Sequence, residues 1–481
     1  MSTAVVKNRG LYYFHFIVVA LLIFGFKYLP APAPITETGM ALLGVFLGAI
    51  YGWSTINIIW PSVLAILGMG MALGMPAVLS AGFGSNITWM IVFTYIAMGL
   101  LEENHILDVA SAYLLTRKFF QGKPWLFYGF IIFAAFLCGM IGGFASIILF
   151  LTLVFKISQK VGFEPYGKFV TAASLGILLV HLFDMIIFPF LGNSLIFISI
   201  WTPMSGTTID YGRYMLCSIT LSIIGIIVYL LVCRFVLRLD LTPLKDFKIE
   251  ELGFETMKLN TKQKLAILVT AWIFVNLLIP SILPKTWGIV IFLQSITTFG
   301  QVLIPVVVFM AISYQGQPII DFRKLSPYIS WEVIMITGTI LPLAMNLTSE
   351  GTGISPFMVG LIQPLIGLGL NSFVFLFIIM FIAAIVTNFA NNTVVAVILM
   401  PVILTIAKID PSLSSTAGFF IMVFMSHLAL LTPSACPFAA IMYGNSQWIN
   451  IKSAMKYGIP IFLCLYLALF SIGYLLAAAI L

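Results

Sequence analysis

The sequence predicts an all-α polytopic membrane protein with about eleven transmembrane helices and two re-entrant hairpins, arranged in two inverted repeats. Composition is the first reason: of 481 residues, 61% are hydrophobic and only 8% are charged, whereas a soluble domain carries about 25% charged residues. The second reason is that the apolar runs are continuous over about twenty residues and lack the alternation of barrel strands. The third is a weak internal repeat. These observations exclude a soluble globular protein.

Eleven apolar runs have the length of one membrane-crossing helix, roughly twenty residues. The first run lacks a small-residue cleavage site, so it is predicted to be a retained helix and not a signal peptide. In chain order the runs lie near residues 11–29, 36–53, 57–75, 86–101, 170–201, 214–237, 264–283, 287–313, 331–347, 415–446 and 457–480.

Two further apolar stretches, 125–156 and 371–408, are too long for a single crossing. At about 1.5 Å per residue, each is long enough to enter the membrane and leave it on the same side. Each also has glycine or polar residues near its middle. Irregular backbone at membrane depth must be buried in protein or line a cavity, so both stretches are predicted to be re-entrant hairpins.

Basic residues predict the orientation and the domain boundaries. Lys7 and Arg9 flank the first helix, and a long charged stretch follows residue 234. Since basic loops stay in the cytoplasm, both are predicted there, with a cytoplasmic N-terminus in the cell membrane. The predicted parts are an N-terminal segment with the first helix (1–35), a first repeat (36–237), a cytoplasmic linker (238–263) and a second repeat (264–481).

The two halves of the sequence resemble each other weakly but collinearly. "ITWMIVFTYIAMGLL" from Ile87 resembles "ISWEVIMITGTILPL" from Ile329, and "VHLFDMIIFP" from Val180 resembles "SHLALLTP" from Ser426. Each repeat is predicted to hold one hairpin and an odd number of crossings, which turns the second repeat upside down relative to the first. Inverted repeats with broken helices are typical of transporters.

The second hairpin carries a polar cluster, Thr387, Asn388, Asn391, Asn392 and Thr393, near its middle. A half-helix that begins here offers free N–H groups and the positive end of its dipole to an anion. The carbonyls that end the first half-helix, with the asparagine oxygens, suit a Na⁺ ion. The cluster therefore predicts an anion and a Na⁺ side by side. The alternative is an amide network that only holds helices together.

A second break lies in "LLTPSACPFAAIMYGNS", where Pro433 and Pro437 interrupt an apolar helix. Proline lacks the N–H donor and so frees a carbonyl. Thr432, Ser434 and the freed carbonyls are predicted to complete the site that faces the hairpin. The alternative is a simple proline kink.

His181 and Asp184 are ionisable residues inside an apolar stretch, three positions apart and therefore on one helix face. Intramembrane charges are costly and are functional candidates. Asp184 is predicted to be a Na⁺ ligand or a proton carrier, with His181 as its partner. The alternative is a structural pair that stabilises the broken helix. His427 occupies the repeat-related position and is interpreted as a hydrogen-bonded core residue.

The second hairpin resembles a known family. Asn391-Asn392-Thr393 followed by "VVAVILMPV", and the segment from Thr432 to Pro460, resemble the divalent anion:sodium symporter (DASS or INDY) family of the ion transporter superfamily. The family has a Ser-Asn-Thr motif at each of two hairpin tips. The resemblance implies a Na⁺-coupled carrier of di- or tricarboxylates that forms a homodimer and moves in elevator fashion.

The first hairpin departs from that family. Gly142, Gly143 and Phe144 occupy the three motif positions and supply no side-chain oxygen. A glycine pair can still present backbone N–H groups to an oxyanion. About one Na⁺ site is therefore expected, where a family with two intact motifs would use both hairpins.

The expected function is secondary active transport of small anions with Na⁺. Alternatives within transport are a cation/proton antiporter and a proton-coupled anion carrier that use Asp184. The sequence shows neither a phosphate-binding glycine loop nor a catalytic cluster, so an ATP-driven pump and an enzyme are not expected, and nor is a nucleic-acid partner. The predicted residues are Asn392, Thr393, Thr432, Ser434, Gly142, Gly143 and Asn193 for substrate; Thr387, Asn388, Asn391, Pro433 and Ala435 for Na⁺; and Asp184 and His181 for coupling.

Overall fold

The computed structural model describes residues 9–117, 122–247, 257–347, 349–367 and 371–481. These residues are almost entirely helical, apart from a small antiparallel pair of strands, β1 (Ser313–Tyr314) and β2 (Gln317–Pro318). The predicted cytoplasmic Lys7 and residues 248–256 of the predicted linker lie outside the described residues.

The helices of the first half follow the apolar runs. They are α1 (Arg9–Ala20, continued by a π turn and a 3₁₀ turn to Tyr28), α2 (Glu37–Thr55), α3 (Ile59–Leu73), α4 (Met75–Gly82), α5 (Asn86–Glu103), α6 (Ile106–Leu115), α7 (Pro124–Val161), α8 (Lys168–Ile187), α9 (Gly192–Ser205) and α10 (Tyr211–Leu231).

The helices of the second half have a similar order. They are α11 (Thr261–Ile282), α12 (Gly288–Ser295), α13 (Thr297–Ala311), α14 (Phe322–Leu325), α15 (Trp331–Leu347), α16 (Ile354–Gly367), α17 (Ser372–Val386), α18 (Asn392–Ile409), α19 (Ser415–Met425), α20 (Pro437–Gly444) and α21 (Ile451–Ile480).

Many of the helices are apolar enough to span a membrane. Among the described residues, eight are long enough to do so, or up to eleven if each of three bent pairs counts as one span. That set includes α7 and α18, which belong to the hairpins. Replacing them with the shorter apolar helix α3 and the broken helix α19–α20 again gives the eleven crossings that the sequence predicts.

The first hairpin is α7, which breaks at Gly142, where the backbone leaves helical geometry (φ −150°, ψ 69°). Its two ends return to the same place, because Phe169 at the start of α8 packs on Tyr128 (ring centroids 5.9 Å apart) and on Phe163 (4.1 Å). The predicted hairpin 125–156 is therefore present, with bounds extended to 124–161. We call residues 139–144 the first tip.

The second hairpin consists of α17 and α18, joined by the irregular residues 387–391. Its ends also meet, since Asp410 after α18 is hydrogen-bonded to Ser372 at the start of α17. Hydrogen bonds from Ser412, which has the larger effect, and from Ser372 hold the pKa of Asp410 below its ordinary value. The predicted stretch 371–408 is thus a hairpin. We call residues 387–393 the second tip.

The two hairpins enter from opposite sides of the protein. Trp448, just before α21, stacks on Phe155 of the first hairpin (5.4 Å). Tyr474, near the other end of α21, packs on Phe373 at the mouth of the second (5.1 Å). The 30 residues of α21 span about 45 Å, so the hairpin mouths are a membrane thickness apart. This is the arrangement that inverted repeats require.

The order of elements is also repeated. A short helix bends into a long one at α4–α5 (43°) and, in the second half, at α14–α15 (73°). In both halves a short helix, the hairpin, a broken helix and a long final helix follow. The broken helices are α8–α9, interrupted at residues 188–191, and α19–α20, interrupted at 426–436. The interruptions lie where the sequence predicts them.

Candidate functional site

Two polar residues fasten the second tip to the irregular segment 426–436. Thr387 Oγ1 lies 2.6 Å from the carbonyl oxygen of Ser426 and 2.9 Å from Asn392 Oδ1. The Asn388 amide donates to the Leu428 carbonyl (3.1 Å) and accepts from the Leu431 N–H (2.7 Å). Both side chains are almost completely buried. They satisfy backbone groups that the broken helix α19–α20 leaves without helical partners.

Thr432 and Ser434 continue this contact. Thr432 Oγ1 donates to the Asn388 carbonyl, which is freed at the end of α17, and lies 3.0 Å from the Ser434 hydroxyl. Ser434 is exposed, Pro433 is half-buried, and Ala435 is buried. The structure therefore brings the predicted residues of the hairpin and of the proline break together at one point.

Some polar atoms of the second tip remain available. Asn391 Oδ1 caps α18 by accepting from Thr393 N (2.9 Å). The Asn392 side chain uses only its oxygen, and within the described residues its amide nitrogen has no hydrogen-bond partner yet is not completely buried. The Thr393 hydroxyl likewise has no hydrogen-bond partner within the described residues and is not completely buried. These donors suit a carboxylate.

Helix termini converge on the same region. α18 begins at Asn392, α9 at Gly192 and α20 at Pro437. Side chains link these starts: Asn193 contacts His427 (2.8 Å), and the neighbouring Ser426 carbonyl accepts from the second tip. No lysine or arginine is among the buried residues of the described chain. Positive helix ends are therefore the groups that can balance an anion here, and the negative ends of α17 and α19 suit a cation.

The first tip reaches the same irregular segment from the other side. Phe438, in the first turn of α20, packs on Phe144 (4.8 Å) and on the His181 ring (5.9 Å). A Cβ added to Gly143 would lie 3.2 Å from the Phe438 ring, and one added to Gly142 would lie 3.2 Å from Leu107. Residues 426–438 thus contact both tips, and Gly142–Gly143 contributes backbone only.

The two intramembrane histidines are related by the repeat. His181 donates through Nδ1 to the Ile177 carbonyl (2.7 Å), and His427 donates through Nδ1 to the Val423 carbonyl (2.8 Å). His427 then accepts at Nε2 from Asn193, which confirms that it is a hydrogen-bonded core residue. Asn193 therefore contacts this histidine, one step away from the second tip.

His181 differs because its Nε2 is buried without a hydrogen-bond partner among the described residues. Both carboxylate oxygens of Asp184 are likewise buried without a partner in that part of the chain. His181 and Asp184 do lie together beside the first tip, since both side chains border Gly139. Within the described residues no hydrogen bond joins them, so both remain candidates for coupling, and the alternative of a structural pair stays open.

Several residues of the site are not among the predicted ones. The Ser426 and Leu428 carbonyls and the Leu431 N–H act through the backbone, which a sequence does not mark. Gly139 is one glycine among many in an apolar run. Phe438 could have been found from the repeat, because it contacts His181 as Asn193 contacts His427.

Comparison with known proteins identifies relatives of this fold. The profile of the family CitMHS, described as citrate transporter, matches residues 46–429. The YdaH transporter of Alcanivorax borkumensis superposes with a TM-score of 0.56 at 12% identity, over 85% of this chain and 88% of that one. MtrF of Neisseria gonorrhoeae, of a class described as antimetabolite efflux pumps, gives 0.58 at 12% identity, over 96% and 94%. No curated protein shows significant sequence similarity.

Proposed function

Because the chain belongs to the CitMHS citrate transporter family, it is a membrane transporter, and we propose that it carries small polycarboxylate anions such as citrate across the cytoplasmic membrane by secondary active transport. Its family and structural neighbours are transporters and not enzymes. The finer resemblance to the DASS family is not confirmed by the family match.

The second tip is the observation that carries this proposal. Substrate carboxylates bind the unpartnered amide of Asn392, the hydroxyls of Thr393 and Ser434, and the first N–H groups of α18. The backbone at Gly142–Gly143 faces them across residues 426–438. Thr432 and Asn193 position this segment through their bonds to Asn388 and His427.

One Na⁺ is proposed as the coupling ion on the other side of the second tip. The negative ends of α17 and α19 meet there, and Thr387, Asn388 and Asn391 supply side-chain oxygens beside the backbone of Pro433 and Ala435. A cation at this place lowers the cost of bringing a multiply charged anion to a region without buried basic residues.

Orientation, assembly and motion belong to the same proposal. Lys168, Arg234 and Arg238 lie at the mouth of the first hairpin, where Lys168 donates to the Leu237 carbonyl (3.2 Å). We place this side in the cytoplasm, following the positive-inside rule. A homodimer with elevator-type movement is proposed from the resemblance.

Proton coupling is the second candidate, and one observation favours it. The Asp184 carboxylate is buried without a hydrogen-bond partner in the described part of the chain, whereas Thr387 and Asn388 of the predicted Na⁺ site already bond to backbone. A proton-coupled anion carrier, or a cation/proton antiporter, would use Asp184 as the exchanged site.

The substrate site is tested by Asn392→Ala. The variant loses the free amide donor and one bond across the second tip, so labelled citrate uptake into proteoliposomes should be abolished while the protein stays folded. Asn276→Ala is the matched control, because Asn276 is also a buried intramembrane amide, but it joins α11 to α13 through the Gln301 carbonyl (3.1 Å). Normal uptake by Asn392→Ala would remove the proposed site.

A further inference from the structure

We propose that Asp184 and His181 form a proton-binding site, seated against Gly139, that controls the position of the first tip. The proposal rests on the function proposed above, in which the hairpin tips enclose the substrate. It deepens that function by assigning the hairpin without side-chain oxygens a ligand of its own, a proton.

The three unpartnered polar atoms of this site are all hydrogen-bond acceptors. His181 Nδ1 is committed to the Ile177 carbonyl, so Nε2 carries a lone pair, and both Asp184 oxygens are acceptors when ionised. All three atoms are buried without a partner in the described chain. A single proton supplies the missing donor, because it turns one carboxylate oxygen into an O–H group at a place where the unpartnered atoms are all acceptors.

A metal cation fits this place poorly. A Na⁺ ion needs several oxygens to replace its hydration shell, and Gly142, Gly143 and Phe144 offer no side-chain oxygen. No group of three or more histidine, cysteine or acidic residues able to hold a metal occurs in the part of the chain that the structure describes.

Gly139 leaves the space that the Asp184 carboxyl group occupies. The place that a Cβ would take on Gly139 is already filled by the Asp184 carboxylate, and the same point lies 3.2 Å from His181 Cδ2. Gly139 is three residues before Gly142, where α7 breaks. Asp184 therefore contacts the first residue of the first tip, one turn before the break at Gly142.

This contact links protonation to the position of the tip. A neutral Asp184 carboxyl group can stay in the apolar space against Gly139. An unpaired carboxylate in that space is strongly unfavourable and must recruit water or move. On the first hairpin, Cys138 is the titratable group near Asp184. The helices α9, α10, α19, α20 and α21 also pack on α8, and among the described residues none of them forms a hydrogen bond or ion pair with Asp184. Ionisation should then release the first tip from α8.

The rate of thiol labelling measures the position of the tip. Phe144→Cys places a thiol on the first tip, and Phe389→Cys places one on the exposed second tip as a reference. Both are made with Cys464→Ser, since the other four native cysteines are buried. The ratio of the two N-ethylmaleimide rates should rise with pH by up to about tenfold per unit, the factor by which one carboxyl changes its ionised-to-neutral ratio. Using a ratio cancels the pH dependence that the two thiols share.

Variants distinguish the proton site from general loosening. Asp184→Asn should keep the ratio low at every pH. Gly139→Ala should keep it high at every pH, because the new methyl group displaces the carboxyl. Gly129→Ala on the same arm is the matched control, where a Cβ would meet only Leu230 at an ordinary 3.5 Å, and it should behave as wild type. If Gly139→Ala fails to fold, the double variant Gly139→Ala/Asp184→Ala removes the clash and should give a pH-independent ratio.

A wild-type ratio that does not change with pH would overturn the proposal, as would an unchanged pH dependence in Asp184→Asn. Neither measurement requires transport. If the wild type takes up no citrate but its labelling ratio depends on pH, the proposed substrate is wrong and the proton site stands. If the wild type takes up citrate but its labelling ratio does not change with pH, the proposed substrate stands and the proton site is wrong.

Discussion

At the scale of single residues, the site separates side chains that bind from side chains that fasten. Asn388 uses all of its hydrogen-bonding groups on backbone: its amide donates to Ala384 and Leu428, and its oxygen accepts from Leu431. Asn392 uses only its oxygen. Two asparagines four positions apart therefore differ: both amide hydrogens of Asn388 are committed to backbone, so that only its oxygen can also reach Na⁺, whereas Asn392 keeps its amide donor for the substrate.

Replacing Asn388 tests this distinction. Asn388→Ala leaves the buried Leu428 carbonyl and Leu431 N–H without partners, and each such group costs roughly 1–3 kcal/mol. The melting temperature in detergent should fall clearly. Asn391→Ala removes only a helix cap, worth about 1 kcal/mol, and should lower it less. Equal melting temperatures for Asn388→Ala and wild type would show that residues 426–436 are held by other contacts.

The single-residue scale is also where sequence analysis is least complete. The contact between Asp184 and Gly139 joins residues far apart in the chain, and no local pattern marks it. The polar cluster at 387–393 was recognisable because amides are rare in an apolar run. The structure is needed to show which of its atoms remain free, because this depends on where the backbone of residues 426–431 lies.

At the scale of elements, the second hairpin has one anchored arm and one arm beside a cavity. On α17, Phe373 and Phe377 pack on Tyr474, Phe470 and Tyr466 of α21, and Tyr466 also donates to the Phe377 carbonyl (2.5 Å). By contrast, α18 borders a cavity of about 380 Å³ shared with α2 and α16. We therefore propose that the hairpin moves with α21 relative to α2 and α16.

Cross-linking tests this division. A short bifunctional thiol reagent that joins Phe377→Cys to Tyr466→Cys should leave transport intact, because α17 and α21 move together. Joining Ser355→Cys to Lys408→Cys, whose native side chains meet across the cavity (2.9 Å), should stop transport, because it ties α18 to α16. Each pair is compared with its single variants. Transport that survives the second cross-link would contradict elevator-type movement between these elements.

The positions of the hairpins and of both helix breaks were predictable from the sequence, because length, apolar continuity and proline mark them locally. Hairpin bounds differ from the predicted ones by a few residues at most, since helix ends depend on caps such as Asn371 and Asn391. The odd number of crossings predicts that the two hairpin mouths lie at opposite ends of α21. Only long-range contacts such as Trp448–Phe155 establish that they do.

At the scale of the whole molecule, the inverted repeats place two unequal tips against one irregular segment. The second tip offers amides and hydroxyls, and the first offers glycine backbone beside a carboxyl. The fold is therefore symmetric while the chemistry is not. We propose that a carrier built in this way couples substrate to one cation at the second tip, with a proton-dependent step at the first tip.

The most direct test of this account is labelled citrate uptake into proteoliposomes under an inward Na⁺ gradient at equal pH on both sides. The account predicts accumulation above equilibrium by the wild type, a Na⁺ dependence of about first order because one helix-break site binds the ion, and no accumulation by Asn392→Ala. Absence of accumulation under the Na⁺ gradient, or equal accumulation by Asn392→Ala, would contradict it.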